Sequence, residues 1–424
     1  MSYEYIASGL SFIWTNKFTS DTHPELCAKI RELTDSVTLA HPNHKFGVLF
    51  NAYTERGTVD EVHSVFDGYT IQADSGGLQM MTLGHGDITE EAKDKVYRTQ
   101  AAHATIGMSF DQIPVTTLSE KQGFLNAEQR YFNPAIFDEC AIASGKNLHR
   151  QIDVYIEEKS ECKPLLILQG NGMEWYKKWA DLVLTQVPQD KWKYITGMSS
   201  SSFALGNGLR EDVERVFSFS QLDVPDHMKN HCHLLGFGSA HRLIPVVQFK
   251  RSGLYTDDVL FSYDSTKHTG GIIRGQYQNE GSIAQLRRHK DKMYYDTLTR
   301  MKHFHDNVLH YDFNEEYFYD TIINPAGFWT EKYGVGGKIW ERNIARYCFF
   351  LYSVHRTMDI VKKMEDDETY ICKIRKQDAH VFMPLSSVKT LDDYNHWKKH
   401  VARHLTSKKV KTMSEHTSLA EFFD

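Results

Sequence analysis

Cysteine, proline and positive charge are all in short supply in this chain, and each shortage removes a class of protein. Six cysteines, Cys27, Cys140, Cys162, Cys232, Cys348 and Cys372, are scattered over 424 residues. No two stand at the close spacing of a metal knuckle or a dithiol redox motif, so reduced, mostly buried thiols are expected. With only 10 prolines the composition is not that of a disordered or fibrous chain. No apolar run is long enough to cross a bilayer. The start, MSYEYIASGL, lacks the basic residues and apolar core of a secretion signal, so a cytoplasmic location is expected. The formal net charge of -6 offers no global attraction to a polyanion. Any nucleic-acid binding must then rest on local patches such as Arg287-Arg288-His289-Lys290 and Lys398-Lys399-His400.

What is present is an ordinary folding composition, 41% hydrophobic and 12% aromatic, in short β-rich runs alternating with helical stretches. Strands are expected near residues 10–16, 45–53, 69–74, 106–111, 164–169, 193–198, 231–237 and 258–264. Their near-continuous apolar character suits strands covered on both faces. Between them lie helix signals: Thr89-Glu90-Glu91 as a capped start, Glu174 to Val187, and Arg210 to Phe217. The pattern predicts an α/β fold, a TIM-like (β/α)8 barrel over 1–280, with an α-rich C-terminal appendage over 281–424 as a candidate nucleic-acid docking module. Gln122 to Arg130 reads as a lid, Thr269 to Gly275 as a glycine-rich turn, and Trp340 to Lys363 as a helix. Thr369 to Met383 reads as a β-hairpin edge, and the polar tail after Leu405 as partly disordered.

Five of the runs end in polar residues suited to a base or a sugar: Asp74-Ser75-Gly76-Gly77, Asp111-Gln112, Gln169-Gly170, Gly197-Met198 and Asp264-Ser265. Parallel barrels gather strand ends at one mouth, so these residues imply one shared pocket. Asp74 and Asp264 are the candidate catalytic pair, because cleaving a glycosidic bond needs one carboxylate at the anomeric carbon and another to move a proton. A bland reading exists for each: Asp74 as a turn or cap aspartate, Asp264 as a helix cap. Asp111 suits the adjacent amide and amine donors of a guanine-like base, or else a salt bridge at the mouth. Gln169 suits the base carbonyl, and Gly197 would expose backbone N–H groups beside it. Ser75 and Gly76 complete the candidate substrate contacts, the glycine by allowing close backbone approach.

Together these motifs resemble tRNA-guanine transglycosylases. Asp74-Ser75-Gly76-Gly77-Leu78-Gln79 is similar to the family's Asp-Ser-Gly-Gly-aromatic-Gln signature. Phe110-Asp111-Gln112-Ile113-Pro114, Leu168-Gln169-Gly170, Leu235-Gly236-Phe237-Gly238 and Tyr263-Asp264 follow in the family's order across roughly residues 45 to 280. The resemblance implies a TIM barrel in which Asp264 is the covalent nucleophile, Asp74 the general acid/base, and Asp111, Gln169 and Gly197 read the base. It implies no cofactor.

Two departures matter. Gly197-Met198-Ser199-Ser200 stands where the family has Gly-Gly-Leu-Ala, and nothing after Asp264 has the Cys-x-Cys-x-x-Cys spacing of the family's structural zinc. His231-Cys232-His233 lies on an expected strand, whose alternation argues against a shared metal, so no metal is expected. Loss of the zinc module favours the divergent phage and bacterial branch that inserts 7-deazaguanines, such as 7-cyano-7-deazaguanine, into DNA. The expected partners are therefore DNA, or tRNA as the alternative, together with free guanine and a 7-deazaguanine base. The aromatics Tyr294-Tyr295, Tyr317-Phe318-Tyr319 and Phe328-Trp329 would stack against an extruded base or simply pack the appendage. A noncatalytic nucleic-acid-binding subunit and a barrel glycoside hydrolase remain the rival readings.

Overall fold

The computed structural model describes residues 2–10, 19–53, 59–76, 88–117, 130–201, 208–272, 275–280, 283–286, 292–323, 339–400 and 411–412. Eight strands close into one barrel: β1 (Ser2–Ser8), β2 (His44–Asn51), β3 (Thr70–Asp74), β4 (Ile106–Met108), β5 (Lys163–Leu168), β6 (Gly197–Ser200), β7 (His231–Leu234) and β8 (Leu260–Asp264). All eight neighbouring pairs are parallel, and Ile6 closes the ring by lying opposite both Gly47 and Asp264. Helices return the chain between strands: α1 (Pro24–Ala40), α2 (Val59–Phe66), α3 (Glu90–His103), α4 (Phe137–Glu157), α5 (Met173–Leu184), α6 (Leu209–Ser220) and α7 (Ile244–Ser252). This is the expected TIM-like (β/α)8 fold, followed by a C-terminal helical region.

Strand alternation divides the side chains sharply. Tyr3, Tyr5, Ala7, Phe46, Val48, Phe50, Leu166, Leu168, Phe261 and Tyr263 face the helices in one large core. The opposite faces form a much smaller apolar plug, Met108, Leu165 and Ile167 with Leu49, Ile106 and Leu235. Apart from Ile6, much of the remaining interior among the described residues is polar. Thr70 Oγ1 donates to Glu4 Oε1 at 2.5 Å, and Ser262 Oγ meets His231 Nε2 at 2.7 Å and His233 Nδ1 at 2.8 Å.

Local signals explain the helices. Thr89 Oγ1 accepts the Ala92 N–H at 3.2 Å as the cap of α3, and Glu90 and Glu91 favour its positive N-terminal end. Pro245 occupies the first turn of α7, and Gly253 ends that helix in the left-handed region at φ 80°.

The structure revises several expected elements. The first barrel strand is Ser2–Ser8, not 10–16, most of which lies outside the described residues, as does nearly all of the Gln122–Arg130 lid. Residues Gln189–Tyr194 form a 3-10 turn, so the strand expected at 193–198 is displaced to Gly197–Ser200. Thr269 to Ile272 belongs to a helix, α8 (Thr266–Ile272), rather than a turn. There a Cβ on Gly271 would lie 2.9 Å from Gln276 Cβ, so that glycine serves close helix-to-strand packing.

The hairpin expected over Thr369 to Met383 is helical, with turns at Tyr370–Ile374, Ala379–Phe382 and Met383–Ser387. Asp367 Oδ1 accepts the Thr369 N–H to start the first turn, and Gln248 of α7 donates to the carbonyls of Phe382 and Met383. The tail contributes Lys411–Thr412, paired parallel with Arg130–Phe132; its other residues after Leu405 lie outside the described set.

Two further helices, α9 (Lys292–Phe304) and α10 (Ile339–Asp366), carry the C-terminal region. The second of these lies against the barrel's helical shell. Tyr347 hydroxyl meets Thr34 Oγ1 of α1 at 2.7 Å, and Ser353 Oγ meets His268 Nδ1 of α8 at 2.8 Å. No described helix is long and apolar enough to cross a membrane.

Candidate active site

Three aspartates converge where the strands end. Asp74 is the last residue of β3 and Asp264 the last of β8, while Asp111 follows β4 by three residues. Asp74 lies beside both of the others electrostatically, since its negative charge helps raise the carboxyls of Asp111 and Asp264. The sequence-predicted pair therefore shares one mouth, as a barrel with its chemistry at the C-terminal face requires.

Asp264 is buried, with 8% of its surface exposed. Burial is the main cause that lifts its pKa to about 6, assisted by Asp74 and opposed by the Gly236 amide, the Ser8 hydroxyl and the Arg215 charge. Gly236 N–H donates to Asp264 Oδ1 at 2.9 Å, and His233 Nε2 stands 3.7 Å from the same oxygen. The position of that amide is itself fixed. Arg215 donates to the carbonyls of Ser200 at 3.1 Å and Leu235 at 2.9 Å, and Arg242 donates to the carbonyl of Gly236. Both guanidinium groups lie over the Phe237 ring, 4.7 and 4.4 Å from its centre, and both pair with the buried Asp212.

Asp111 is held from the side of α4. Asn147 Nδ2 donates to the Phe110 carbonyl at 2.8 Å, and the Gln112 N–H donates to Ser144 Oγ at 2.8 Å, so the backbone on both sides of Asp111 is tied down. Its pKa is pushed up to about 6, first by burial and next in that direction by Asp74, against the pull of Gln169. Gln169 Nε2 donates to Asp111 Oδ2. An ionised carboxylate only accepts, so the amide nitrogen must face it. The other amide atom, Oε1, is buried and has no hydrogen-bond partner in the structure.

The remaining expected contacts separate. Ser75 alternates away from the interior, and its hydroxyl donates to the Ser109 carbonyl at 3.1 Å, bracing the approach to Asp111 from behind. Gly76 has φ +81°, and a Cβ there would lie 2.7 Å from Tyr53 Cβ, so the turn itself requires glycine. Gly77 lies outside the described residues.

Gly197 does not join the site. It is the first residue of β6, opposite Leu165, whereas Gln169 lies four residues farther along the neighbouring strand. At about 3.3 Å per residue it sits roughly 13 Å below the mouth. A Cβ on Gly197 would come within 2.4 Å of the His231 carbonyl oxygen. Gly197→Ala is therefore expected to destabilise the fold by about 1–3 kcal/mol through overpacking. Thermal melts check this, and base binding by the folded fraction should be unchanged.

The sequence reading weighed His233 only as a metal ligand and missed its place behind Asp264, and it missed Ser262 and the Asp212-Arg215-Arg242 cluster altogether. A signal for the first two existed: His231 and His233, like Ser262 and Asp264, are two residues apart on a strand and so share a face. Among the described residues, no group of three or more His, Cys, Asp or Glu side chains is arranged to hold a metal ion. No family model matches the chain, and no curated protein matches it significantly.

Proposed function

We propose that this protein is a base-exchange transglycosylase that replaces guanine in DNA with a 7-deazaguanine through a covalent aspartyl-sugar intermediate. The observation that carries the reading is the grouping of Asp74, Asp111 and Asp264 at one barrel mouth, each on a different strand end. Two of them suit the chemistry and the third suits the base.

Above about pH 6 Asp264 is ionised. Its carboxylate attacks C1′ of the sugar as the bond from C1′ to guanine N9 breaks, and Asp74, which enters this step protonated beside the ionised Asp264, supplies the proton that leaves with the base. In the second displacement Asp74 takes the proton from the incoming base, whose N9 attacks C1′ and releases Asp264. Asp111 accepts the ring amide and exocyclic amine of the base, and Gln169 Oε1 adds a further acceptor at the same edge. Acceptors side by side suit the adjacent N1–H and exocyclic amine that guanine and its 7-deaza analogues present.

The motif order resembles that of tRNA-guanine transglycosylases, and the missing cysteine spacing after Asp264 favours DNA as the acceptor. The test is incubation of the purified chain with labelled guanine and either duplex DNA or tRNA. Label entering DNA is the expected result. Label in tRNA alone would assign the RNA polymer instead, and label in neither would overturn base exchange.

A further inference from the structure

Inside the barrel, directly behind Asp264, lies a chain of side chains that the two-aspartate mechanism does not use. His231 Nε2 meets Ser262 Oγ at 2.7 Å, the same hydroxyl meets His233 Nδ1 at 2.8 Å, and His233 Nε2 faces Asp264 Oδ1 at 3.7 Å. His233 and Ser262 are fully buried and His231 is 5% exposed.

We propose that His233 is a positioning residue for Asp264: its Nε2–H secures Oδ1 beside the Gly236 amide and leaves Oδ2 for attack on the sugar. The proposal rests on the assignment of Asp264 as nucleophile. One proton arrangement serves every partner in the chain. An ionised carboxylate offers only lone pairs, so a ring nitrogen that closes on it donates, and the hydroxyl behind the ring holds that tautomer in place. A neutral imidazole then has a bare Nδ1, which accepts the single hydrogen of Ser262. The Ser262 oxygen in turn accepts from His231 Nε2–H. All three donors point toward Asp264.

The surroundings keep both rings neutral. Burial is the main cause that lowers His233 to about 3 and His231 to about 4. His231 and Arg215 oppose charge on His233, while Lys45 opposes it on His231. Around Asp264 itself stand Asp74 from β3, the Ser8 hydroxyl from β1, Arg215 from α6 and, before α7, Arg242. Of these only the Ser8 hydroxyl is a neutral side-chain donor, and it comes from β1, whereas His233 approaches from β7 beside the strand that carries Asp264. The 3.7 Å separation exceeds a hydrogen bond, and contacts of this kind commonly tighten when substrate fills a site. A Cβ-sized residue would not serve the same purpose, because the gap needs an N–H that is set by the residues behind it.

The experiment uses the full chain labelled with 15N-histidine, with His233 assigned by its loss in His233→Gln. Long-range 1H–15N spectra should show His233 neutral and protonated at Nε2 from pH 7 to pH 8, where Asp264 is ionised. A cationic ring or an Nδ1–H tautomer at pH 7 would overturn the proposal, whether or not the protein exchanges bases. Ser262→Ala removes the lock and should give a mixture of tautomers; an unchanged single tautomer also counts against it. In the exchange assay, His233→Leu should lower kcat about 10-fold and move the acid limb up by about one pH unit, with KM little changed. His233→Gln, which keeps an N–H donor, should recover most of both. If His233→Leu stays within two-fold of wild type with its acid limb in place, positioning by His233 is wrong. Absence of exchange in the wild-type chain would instead remove the proposed reaction and leave the spectroscopic result standing.

Discussion

Asp264→Asn is expected to abolish base exchange and, at pH 8, to melt at a higher temperature than the wild type. The two effects have one origin. As the proposed nucleophile, Asp264 would supply the bond that splits the exchange into two displacements, and Asn has no equivalent lone-pair basicity; loss of on the order of 10⁴-fold or more is expected. As a buried carboxylate lifted to about 6, it binds its proton more tightly in the folded state than in the unfolded chain. A raised folded-state pKa stabilises the fold at low pH, and that stability is lost as pH rises through the folded pKa. Holding the charge above pH 6 therefore costs on the order of 2–3 kcal/mol, which Asn avoids. The gain should shrink as pH falls from about 6 to about 4 and vanish below that, where the wild-type carboxyl is neutral in both states. Guanine binding, which rests on Asp111 and Gln169, should persist. Full exchange activity in this variant would eliminate the covalent mechanism, and equal melting temperatures at pH 8 would mean that Asp264 is better solvated than its surroundings imply.

The residues that were legible in the sequence are those whose role follows from where a strand stops. Asp74 and Asp264 each end an apolar run, and a parallel barrel leaves one place for such residues to meet. What was illegible depends on register or on a partner distant in sequence. β6 is Gly-Met-Ser-Ser, a composition that reads as loop, because its inward face lines a polar interior; the more β-like Tyr194-Ile195-Thr196 beside it drew the strand off by several residues. That shift placed Gly197 at the wrong end of the barrel. β1 was lost to the stronger apolar run that follows it, since Glu4 faces inward and breaks the hydrophobic pattern. The segment from Thr369 to Met383 holds apolar residues in runs too short to fix a period, and its packing on α7 decided for helix. Gln169 was found, but which of its amide atoms faces the ligand depends on Asp111, 58 residues earlier in the chain.

The largest structural penalty outside the catalytic pair is expected at Asp212. Its carboxylate is 1% exposed and is bound by Arg242 through Nε at 2.8 Å and Nη2 at 2.5 Å, with Arg215 at 3.4 Å. Asp212→Leu would leave two guanidinium groups buried over Phe237 without their hydrogen-bonded counter-charge, and with only the weaker influence of Asp264. Removing one partner of a buried ion pair costs about 3–5 kcal/mol, because the charge that remains is uncompensated. The damage should extend to function, since these arginines hold the Ser200, Leu235 and Gly236 carbonyls and thereby the amide that donates to Asp264. Replacing all three residues together, Asp212→Leu with Arg215→Met and Arg242→Met, should recover most of the stability, as buried charge clusters exchanged for apolar side chains often do. It should not recover exchange, because the Gly236 loop loses its anchors and Asp264 loses the Arg215 charge that favours its ionised form. Chemical denaturation of the wild type, the single variant and the triple variant beside their exchange rates separates the two roles. A triple variant that regains both stability and wild-type exchange would show that the cluster holds the fold alone and that the Gly236 amide is positioned by something else.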